Sequence, residues 1–171
     1  LSTVRDELLG LQGARLHPDH FLHIMLQELG FVVDHPTRSD EIAPARLEEF
    51  ALAATSPVSD VQPFPVALGG VNSFQDAVFL EIGQNEPLNQ IHERLFDLAA
   101  VPHIPSYPFL AHCTIAHYDG SVSPQAARTV IESWRAALLG QFTATEIEIV
   151  TMDPGSAYPE LQTYAAIPFA N

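Results

Sequence analysis

The sequence contains no lysine, and its 7 basic residues are all arginines. P-loop nucleotide hydrolases, protein kinases and Schiff-base enzymes each depend on a lysine side chain, so these classes are excluded. Against 21 acidic residues, the arginines leave a formal net charge of −14. Tight binding to long nucleic acid depends on many contacts between cations and phosphates. A small anionic ligand is therefore compatible with this chain, whereas a long polyanion is not an expected partner.

Cysteine and long apolar runs are also scarce. The only cysteine, Cys113, excludes an internal disulfide and is compatible with a reducing cytosol. No apolar run approaches the roughly 20 residues of a membrane helix, and no signal peptide is visible. The composition predicts a cytoplasmic protein with no membrane partner. The 171 residues, 47% of them hydrophobic, are enough for one globular domain, which we expect to be a monomer.

Apolar spacing and end signals predict four helices. Ser39 and Asn85 are suitable N-caps, and Ser123 followed by Pro124 marks a third helix start. The predicted helices cover residues 2–12, a segment from Ser39 to about Ala54, a segment after Asn85 with an apolar stripe, and 124–140. That stripe consists of Leu88, Ile91, Leu95 and Leu98.

Runs of β-branched and aromatic residues between turn signals predict the strands. These strands cover residues 20–30, 61–68, 76–83, 109–118, 142–152 and 158–168, and a GGVNS turn at 69–73 joins the second to the third. Helices and strands then alternate similarly in two halves. This order predicts an α+β, bilobal fold with two pseudo-symmetric lobes, about 1–70 and 71–171, which exchange strands. Each lobe is an antiparallel sheet with helices on its outer face. The first half lacks an initial strand, so we expect one upstream of Leu1, or the 158–168 strand in its place.

Two histidines occupy matching strands in the two halves. Because side chains alternate along a strand, His23 and Met25 share one face, opposite the apolar Leu22, Ile24 and Leu26. In the second strand, Leu110, His112, Thr114 and Ala116 are expected on one face, opposite Ala111, Cys113 and Ile115. A pseudo-twofold axis would make His23 and His112 face each other across a cleft.

Such a pair suits cleavage of a phosphodiester. One imidazole can activate water or a hydroxyl, and the other can protonate the leaving oxygen, because histidine titrates near neutral pH. A hydroxyl beside each histidine would stabilise the developing charge on the phosphoryl oxygens. Hydrogen bonds near 3 Å to a shared phosphate would set the two imidazoles roughly 5–8 Å apart.

These motifs resemble the 2H phosphoesterases, the superfamily of bacterial 2′-5′ RNA ligase and the 2′,3′-cyclic phosphodiesterases, whose signature is two H-x-[S/T] motifs. The resemblance extends over nearly the whole chain. It includes LHPDHFLHIMLQELGF, VALGGVNSF, VFLEIG, YPFLAHCTIAHY and the closing YPELQTYAAIPF. It implies a cleft between the lobes, no metal or other cofactor, catalytic roles for His23 and His112, and phosphate binding by Thr114. The implied substrate is a 2′,3′-cyclic phosphate or a related RNA-end or nucleotide phosphodiester.

The first motif departs from this pattern at Met25, where the family has Thr or Ser. A thioether cannot donate a hydrogen bond, and losing one donor to a charged oxygen costs about 1.5–3 kcal/mol. The chain is then either an enzyme with one motif hydroxyl or a non-catalytic module that binds nucleotides or RNA ends. A third reading is an acidic interaction domain without a ligand.

Other candidates have weaker support. Tyr107 and Phe21 flank the two motif strands and could stack on a base, although packing is the commoner role for such rings. His20 and His23 would point to opposite faces of a strand, and no acidic or cysteine cluster completes a metal site. Cys113 faces away from His112, which predicts a packing residue rather than a nucleophile. The other histidines are predicted to lie on the surface or in packing positions: His17, His35, His92, His103 and His117.

Overall fold

The computed structural model describes residues 1–83, 86–101 and 108–170. The predicted cap Asn85 and the predicted stacking residue Tyr107 lie outside these ranges. The helices are α1 (Ser2–Leu9), α2 (Pro44–Ala53), α3 (Thr55–Val58), α4 (Glu86–Ala99) and α5 (Pro124–Trp134). The strands are β1 (Ala14–Leu16), β2 (Phe31–Val32), β3 (Glu41–Ile42), β4 (Phe64–Ser73), β5 (Ala77–Gly83), β6 (His112–Tyr118), β7 (Leu138–Ala144), β8 (Glu146–Thr151) and β9 (Gln162–Pro168).

The largest sheet has five strands in the order β1-β6-β5-β4-β7. All of its neighbouring strands are antiparallel. Strands β8 and β9 form a separate antiparallel pair, and β2 and β3 form a short parallel one. Together with the helices, these sheets confirm the predicted α+β class. The five-stranded sheet combines strands from both of the predicted lobes, whose boundary stays a prediction.

The helices pack in two groups. Helix α1 lies against β1 and α5, and α5 also lies against β4. Helices α2, α3 and α4 pack on one another, and α3 contacts β9. Leu8 of α1, Leu80 of β5 and Ile91 of α4 belong to the same buried apolar cluster. The predicted stripe of α4 faces this core, and burying such side chains is the main source of its stability. No helix among the described residues is both long and apolar enough to cross a bilayer.

The turn predicted at 69–73 is wrong, because β4 continues through both glycines to Ser73. The register with β5 shifts between Gly69 and Val71, and Gly70 has a φ of +70°. A Cβ atom on Gly69 would lie 2.5 Å from the carbonyl oxygen of Ala137, next to β7. The glycines therefore accommodate a β-bulge and the close approach of a neighbouring chain. The real turn follows, where the Phe74 amide donates to the Ala77 carbonyl at 2.8 Å.

The strand predicted over residues 20–30 is also wrong. Asp19–Phe21 forms a short 3-10 turn, and residues 22–30, here called the first-motif segment, have no regular secondary structure. Strand β1 pairs only with residues 116–118 of β6 at this edge of the sheet, and no residue of the first-motif segment belongs to a strand.

Other boundaries moved for local reasons. Helix α2 begins at Pro44 with Ala43 as its N-cap, not at Ser39, because proline is pre-set for the first helical turn. Helix α5 starts as predicted at Pro124, after the N-cap Ser123, whose side chain accepts from the Ala126 amide, but it ends at Trp134 rather than at Gly140. Residues 138–144 pair with β4 instead of continuing the helix. The single strand predicted over 142–152 is divided between β7 and β8.

Candidate active site

His112 and Thr114 lie on β6 and share one face of the five-stranded sheet. Residues opposed across a strand pair have side chains on the same face. His112 opposes Glu81 and Thr114 opposes Phe79. Both motif side chains are half-buried, whereas Cys113 between them is buried in the core. The predicted alternation is therefore correct as far as Thr114.

Beyond Thr114 the predicted alternation is wrong, because β6 carries an irregularity there. The register with β5 shifts so that Thr114 opposes Phe79 while Ala116 opposes Val78. Ile115 is the extra residue, and both Ile115 and Ala116 are fully buried. A bulge of this kind changes the direction of later side chains. Ala116 consequently belongs to the core and not to the face predicted for it.

The first-motif segment alternates in the same way without belonging to a sheet. His23 and Met25 are exposed, with Met25 52% exposed, while Leu22, Ile24 and Leu26 pack against the core. Burial of the apolar side chains thus turns His23 and Met25 toward the opposite side, as pairing in a sheet would have done. Met25 presents a thioether beside His23, where a motif hydroxyl was expected.

Side-chain contacts fix this segment to its surroundings. The Nδ1 of His92 on α4 donates to the carbonyl of Leu26 at 2.6 Å, and the His92 ring stacks on Phe109 at 4.0 Å. Burial raises the pKa of the Cys113 thiol, and a backbone hydrogen bond from His23 partly opposes this. His23 therefore lies beside the residue that follows His112. The raised pKa also keeps Cys113 a thiol, as expected of a packing residue.

The two motif imidazoles are held by the same hydrogen bond. Nδ1 of His23 lies 2.8 Å from the carbonyl oxygen of Phe21, and Nδ1 of His112 lies 2.7 Å from that of Leu110. A carbonyl oxygen only accepts, so Nδ1 is the donor in both rings. No residue of the described ranges bonds to either Nε2. Both rings thus present Nε2, a proton acceptor when the ring is neutral and a donor when it is protonated.

Two phenylalanines that the sequence did not single out lie against His112. Phe74 stacks on Phe79 with ring centroids 4.3 Å apart, and the two rings contact His112 at 5.2 and 5.3 Å. Phe79 is buried, but Phe74 is 41% exposed. A correct prediction of the turn would have found Phe74. With the hairpin turn at 74–76 instead of 69–73, this aromatic residue lies at the end of β4, on the face that carries His112.

A polar network also reaches this face and was not predicted. Nη1 of Arg135 donates to Oδ1 of Asn72 at 2.8 Å, and Nδ2 of Asn72 donates to Oε1 of Glu81 at 2.6 Å. Glu81 is the residue opposed to His112. Arg135 follows the last residue of α5, a segment that the sequence predicted as mid-helix, so nothing in the pattern pointed to it.

A second group of rings surrounds the other motif histidine. Phe21 contacts His23 at 5.2 Å, His17 at 5.2 Å and Tyr158 at 5.6 Å. His17 in turn hydrogen-bonds His117, with 2.8 Å between Nε2 and Nδ1. His17 and His117 were predicted as surface or packing residues, and a hydrogen-bonded pair between them had no sequence signal.

No three side chains of His, Cys, Asp or Glu come together as a metal site within residues 1–83, 86–101 and 108–170. His20 bonds instead to the Tyr158 carbonyl at 3.1 Å. His20 and His23 thus have different partners.

Comparisons with known proteins identify the family of this chain. The family model of the 2′-5′ RNA ligase superfamily matches residues 4–155. No curated protein sequence matches the chain.

Solved structures show the same fold at low sequence identity. TT0787 of Thermus thermophilus superposes with a TM-score of 0.74 and 16% identity, over 98% of this chain and 88% of that one. LigT of E. coli, crystallised with 3′-AMP, superposes with a TM-score of 0.70 and 13% identity, over 100% of this chain and 94% of that one. The same protein with NADP+ gives 0.69 and 14%, over 100% and 93% of the two chains.

Proposed function

Because this chain belongs to the 2′-5′ RNA ligase superfamily, we propose that it is a phosphodiesterase in which His23 and His112 form an acid/base pair. The observation that carries the proposal is the matched pair of imidazoles. Each donates Nδ1–H to the carbonyl two residues earlier and leaves Nε2 without a protein partner among the described residues. Fixing the tautomer in this way prepares both rings for proton transfer at Nε2.

The reaction that fits is hydrolysis of a 2′,3′-cyclic phosphate or a related RNA-end or nucleotide phosphodiester. The neutral imidazole takes a proton from water at Nε2 as the water oxygen bonds to phosphorus. One bridging P–O bond breaks, and its oxygen receives the proton from Nε2 of the other, protonated imidazole. The product is a phosphomonoester with a free hydroxyl, and the two histidines have exchanged protonation states. Either histidine can begin as the base.

Thr114 and Phe74 supply the other contacts of the proposal. Thr114 is on the face that carries His112, where its hydroxyl would donate to a phosphoryl oxygen. Phe74 offers an exposed ring beside His112 on which a base could stack. Phe21 is a second, less open stacking candidate, because its ring already contacts three others. Tyr107 stays a sequence prediction.

The expected ligand is small, and the reaction needs no metal or cofactor. LigT has been crystallised with 3′-AMP and with NADP+, which supports a nucleotide as the ligand of this similar fold. The net charge of −14 disfavours long nucleic acid. We place the activity in the cytoplasm and in a monomer.

A substrate panel tests the proposal directly. Purified protein is assayed with chelator on 2′,3′-cyclic nucleotides, 2′-5′ linked dinucleotides and ADP-ribose 1″,2″-cyclic phosphate. We expect turnover of at least one class, its loss in His112→Ala, and no change in His35→Ala, a matched substitution at an exposed histidine that has no hydrogen bond or ring contact with His23 or His112. Turnover that requires added metal would contradict the two-histidine chemistry.

The exposed Met25 favours one alternative, a module that binds nucleotides or RNA ends without cleaving them. The Met25 side chain has no hydrogen-bond donor at a position where the family has a hydroxyl. In that case the same panel would show saturable binding of a cyclic nucleotide, measured by calorimetry, and no product from any substrate.

A further inference from the structure

We propose that His17, paired with His117, is a positioning residue that holds the imidazole of His23 through Phe21. The inference rests on the proposed function for its kinetic consequences, although its structural core can be tested without any activity. It concerns a second histidine pair, distinct from His23 and His112.

His17 is the only polar residue of the described ranges that is fully buried, with 2% of its surface exposed. Its amide donates to the Ile115 carbonyl at 2.9 Å, which fixes its backbone to β6. A buried polar side chain needs a hydrogen-bond partner, and His117 supplies one across 2.8 Å. The hydrogen bond to His117 and the backbone bond to β6 therefore fix the orientation of the His17 ring within the core.

The contacts of His17 lead to His23 in two steps. The His17 ring meets Phe21 edge-on at 5.2 Å, and Phe21 meets His23 edge-on at 5.2 Å. Tyr158 closes the group, at 5.0 Å from His17 and 5.6 Å from Phe21. The carbonyl of Phe21 is also the acceptor for Nδ1 of His23. Anything that moves Phe21 therefore changes both the ring contact and the hydrogen bond that orient His23.

The supporting ring must stay neutral. His17 faces His117 from β6, Arg5 from α1 and His23 from the first-motif segment, and positive charge on any of the three disfavours a proton on His17. Arg5 is itself paired with Asp19 at 3.1 Å. Burial is the largest effect, and together these groups lower the pKa of His17 to about 4. Near neutral pH, His17 is thus an uncharged ring among aromatic neighbours.

His112 provides an internal control for the contacts that lead from His17 through Phe21 to His23. It has the same Nδ1 hydrogen bond as His23, but its ring contacts are with Phe74 and Phe79 and not with His17 or Phe21. A disturbance that begins at His17 should therefore change His23 and leave His112 as it was.

The first experiment reads the tautomers by ring ¹⁵N NMR at a pH where both histidines are neutral. In the native protein, His23 and His112 should both carry the proton on Nδ1. In His17→Ala, we expect His23 to shift toward the Nε2–H tautomer that an unconstrained neutral histidine side chain prefers, while His112 is unchanged. In His17→Phe, which keeps a ring against Phe21 and Tyr158, His23 should stay close to the native tautomer.

Kinetics give the second reading. Misplacing a reacting group by about 1 Å can cost on the order of 100-fold in rate. We expect His17→Ala to lower kcat by about 10-fold or more with little change in KM, and His17→Phe to restore most of it. Should His17→Ala fold poorly, Phe21→Leu interrupts the same path and leaves the hydrogen bond between His17 and His117 in place. The loss of kcat in Phe21→Leu should equal the loss expected for His17→Ala.

The outcomes separate this inference from the proposed function. A His23 tautomer that is unchanged in both His17→Ala and Phe21→Leu would overturn the positioning role, whatever the activity. A shifted tautomer in a protein that turns over none of the substrates would support the positioning role and contradict the phosphodiesterase. His35→Ala, at an exposed loop histidine, should change neither the tautomer of His23 nor kcat.

Discussion

The two motif segments present the same imidazole geometry on different supports. His112 begins β6, where its main chain is paired with Glu81 of β5. His23 lies in residues 22–30, which have no strand partners and are held by apolar packing, by His92 and by the ring group around Phe21. The backbone that carries His112 is held by strand pairing, whereas the backbone that carries His23 is held mainly by side-chain contacts of its segment.

This difference suggests where the site is easiest to disturb. A strand ladder is cooperative and depends little on any single side chain, whereas a segment held by a few side-chain contacts depends on each of them. We therefore expect substitutions and pH to act on the His23 side before the His112 side.

Removing either imidazole should abolish turnover equally. Positioned acid–base groups contribute about 100- to 10,000-fold each, so His23→Ala and His112→Ala should each lower kcat by that much. The measurement is steady-state hydrolysis of the best cyclic nucleotide, with circular dichroism to show that the fold is kept. A loss at His112 alone would mean that only one histidine takes part.

Acid should destabilise the protein through the His23 side. The pKa of His17 is about 4 in the folded protein against an ordinary value of 6.5, so between these values the unfolded chain binds a proton that the folded chain does not. The titration of His17 therefore leaves the free energy of unfolding unchanged above pH 6.5. As the pH falls toward 4, it lowers that free energy by up to about 3 kcal/mol.

Urea unfolding from pH 7.5 to 4.5 measures this loss in the native protein and in His17→Phe. The variant has no group to titrate at that position, so its stability should depend less steeply on pH over the same range. Equal pH dependence in the two proteins would assign the acid sensitivity to other residues.

Restoring the missing hydroxyl should make the two motifs more alike. Met25 is exposed, so Met25→Thr can be accommodated without repacking the core and places a donor beside His23. We expect kcat to rise by up to about 10-fold, less than a full charged hydrogen bond, because water can already substitute. The same change in a His112→Ala background should restore nothing. A fall in kcat would indicate that the thioether contacts the natural substrate.

Loosening the side-chain support should have the smallest effect. His92→Phe keeps a ring to stack on Phe109 but removes the donor to the Leu26 carbonyl. One hydrogen bond is worth about 1 kcal/mol, so we expect about a fivefold loss of kcat with the mobility of residues 22–30 increased. Amide hydrogen exchange would be faster in residues 22–30 of the variant and unchanged in β6. Equal changes in both would contradict the asymmetry.

Sequence reasoning succeeded where the pattern depended on the chain itself. The alternation around His23 was correct because Leu22, Ile24 and Leu26 need burial whether or not a strand forms. Ser123 and Pro124 start α5 because capping is a local property. The prediction failed at Gly69 and Gly70, where glycines were interpreted as a turn although the approach of β7 required them.

By itself, then, the sequence determined the α+β class, the family resemblance and the pair of histidines with Thr114 and Met25 beside them. Tertiary structure alone decided which backbone positions pair. It left residues 22–30 outside the five-stranded sheet, added the bulge at Ile115 and brought Phe74, Arg135 and His17 to the two histidines. Those residues carry no local signal, because their neighbours are distant in the chain. Contacts of that kind exist only once strands and helices have packed.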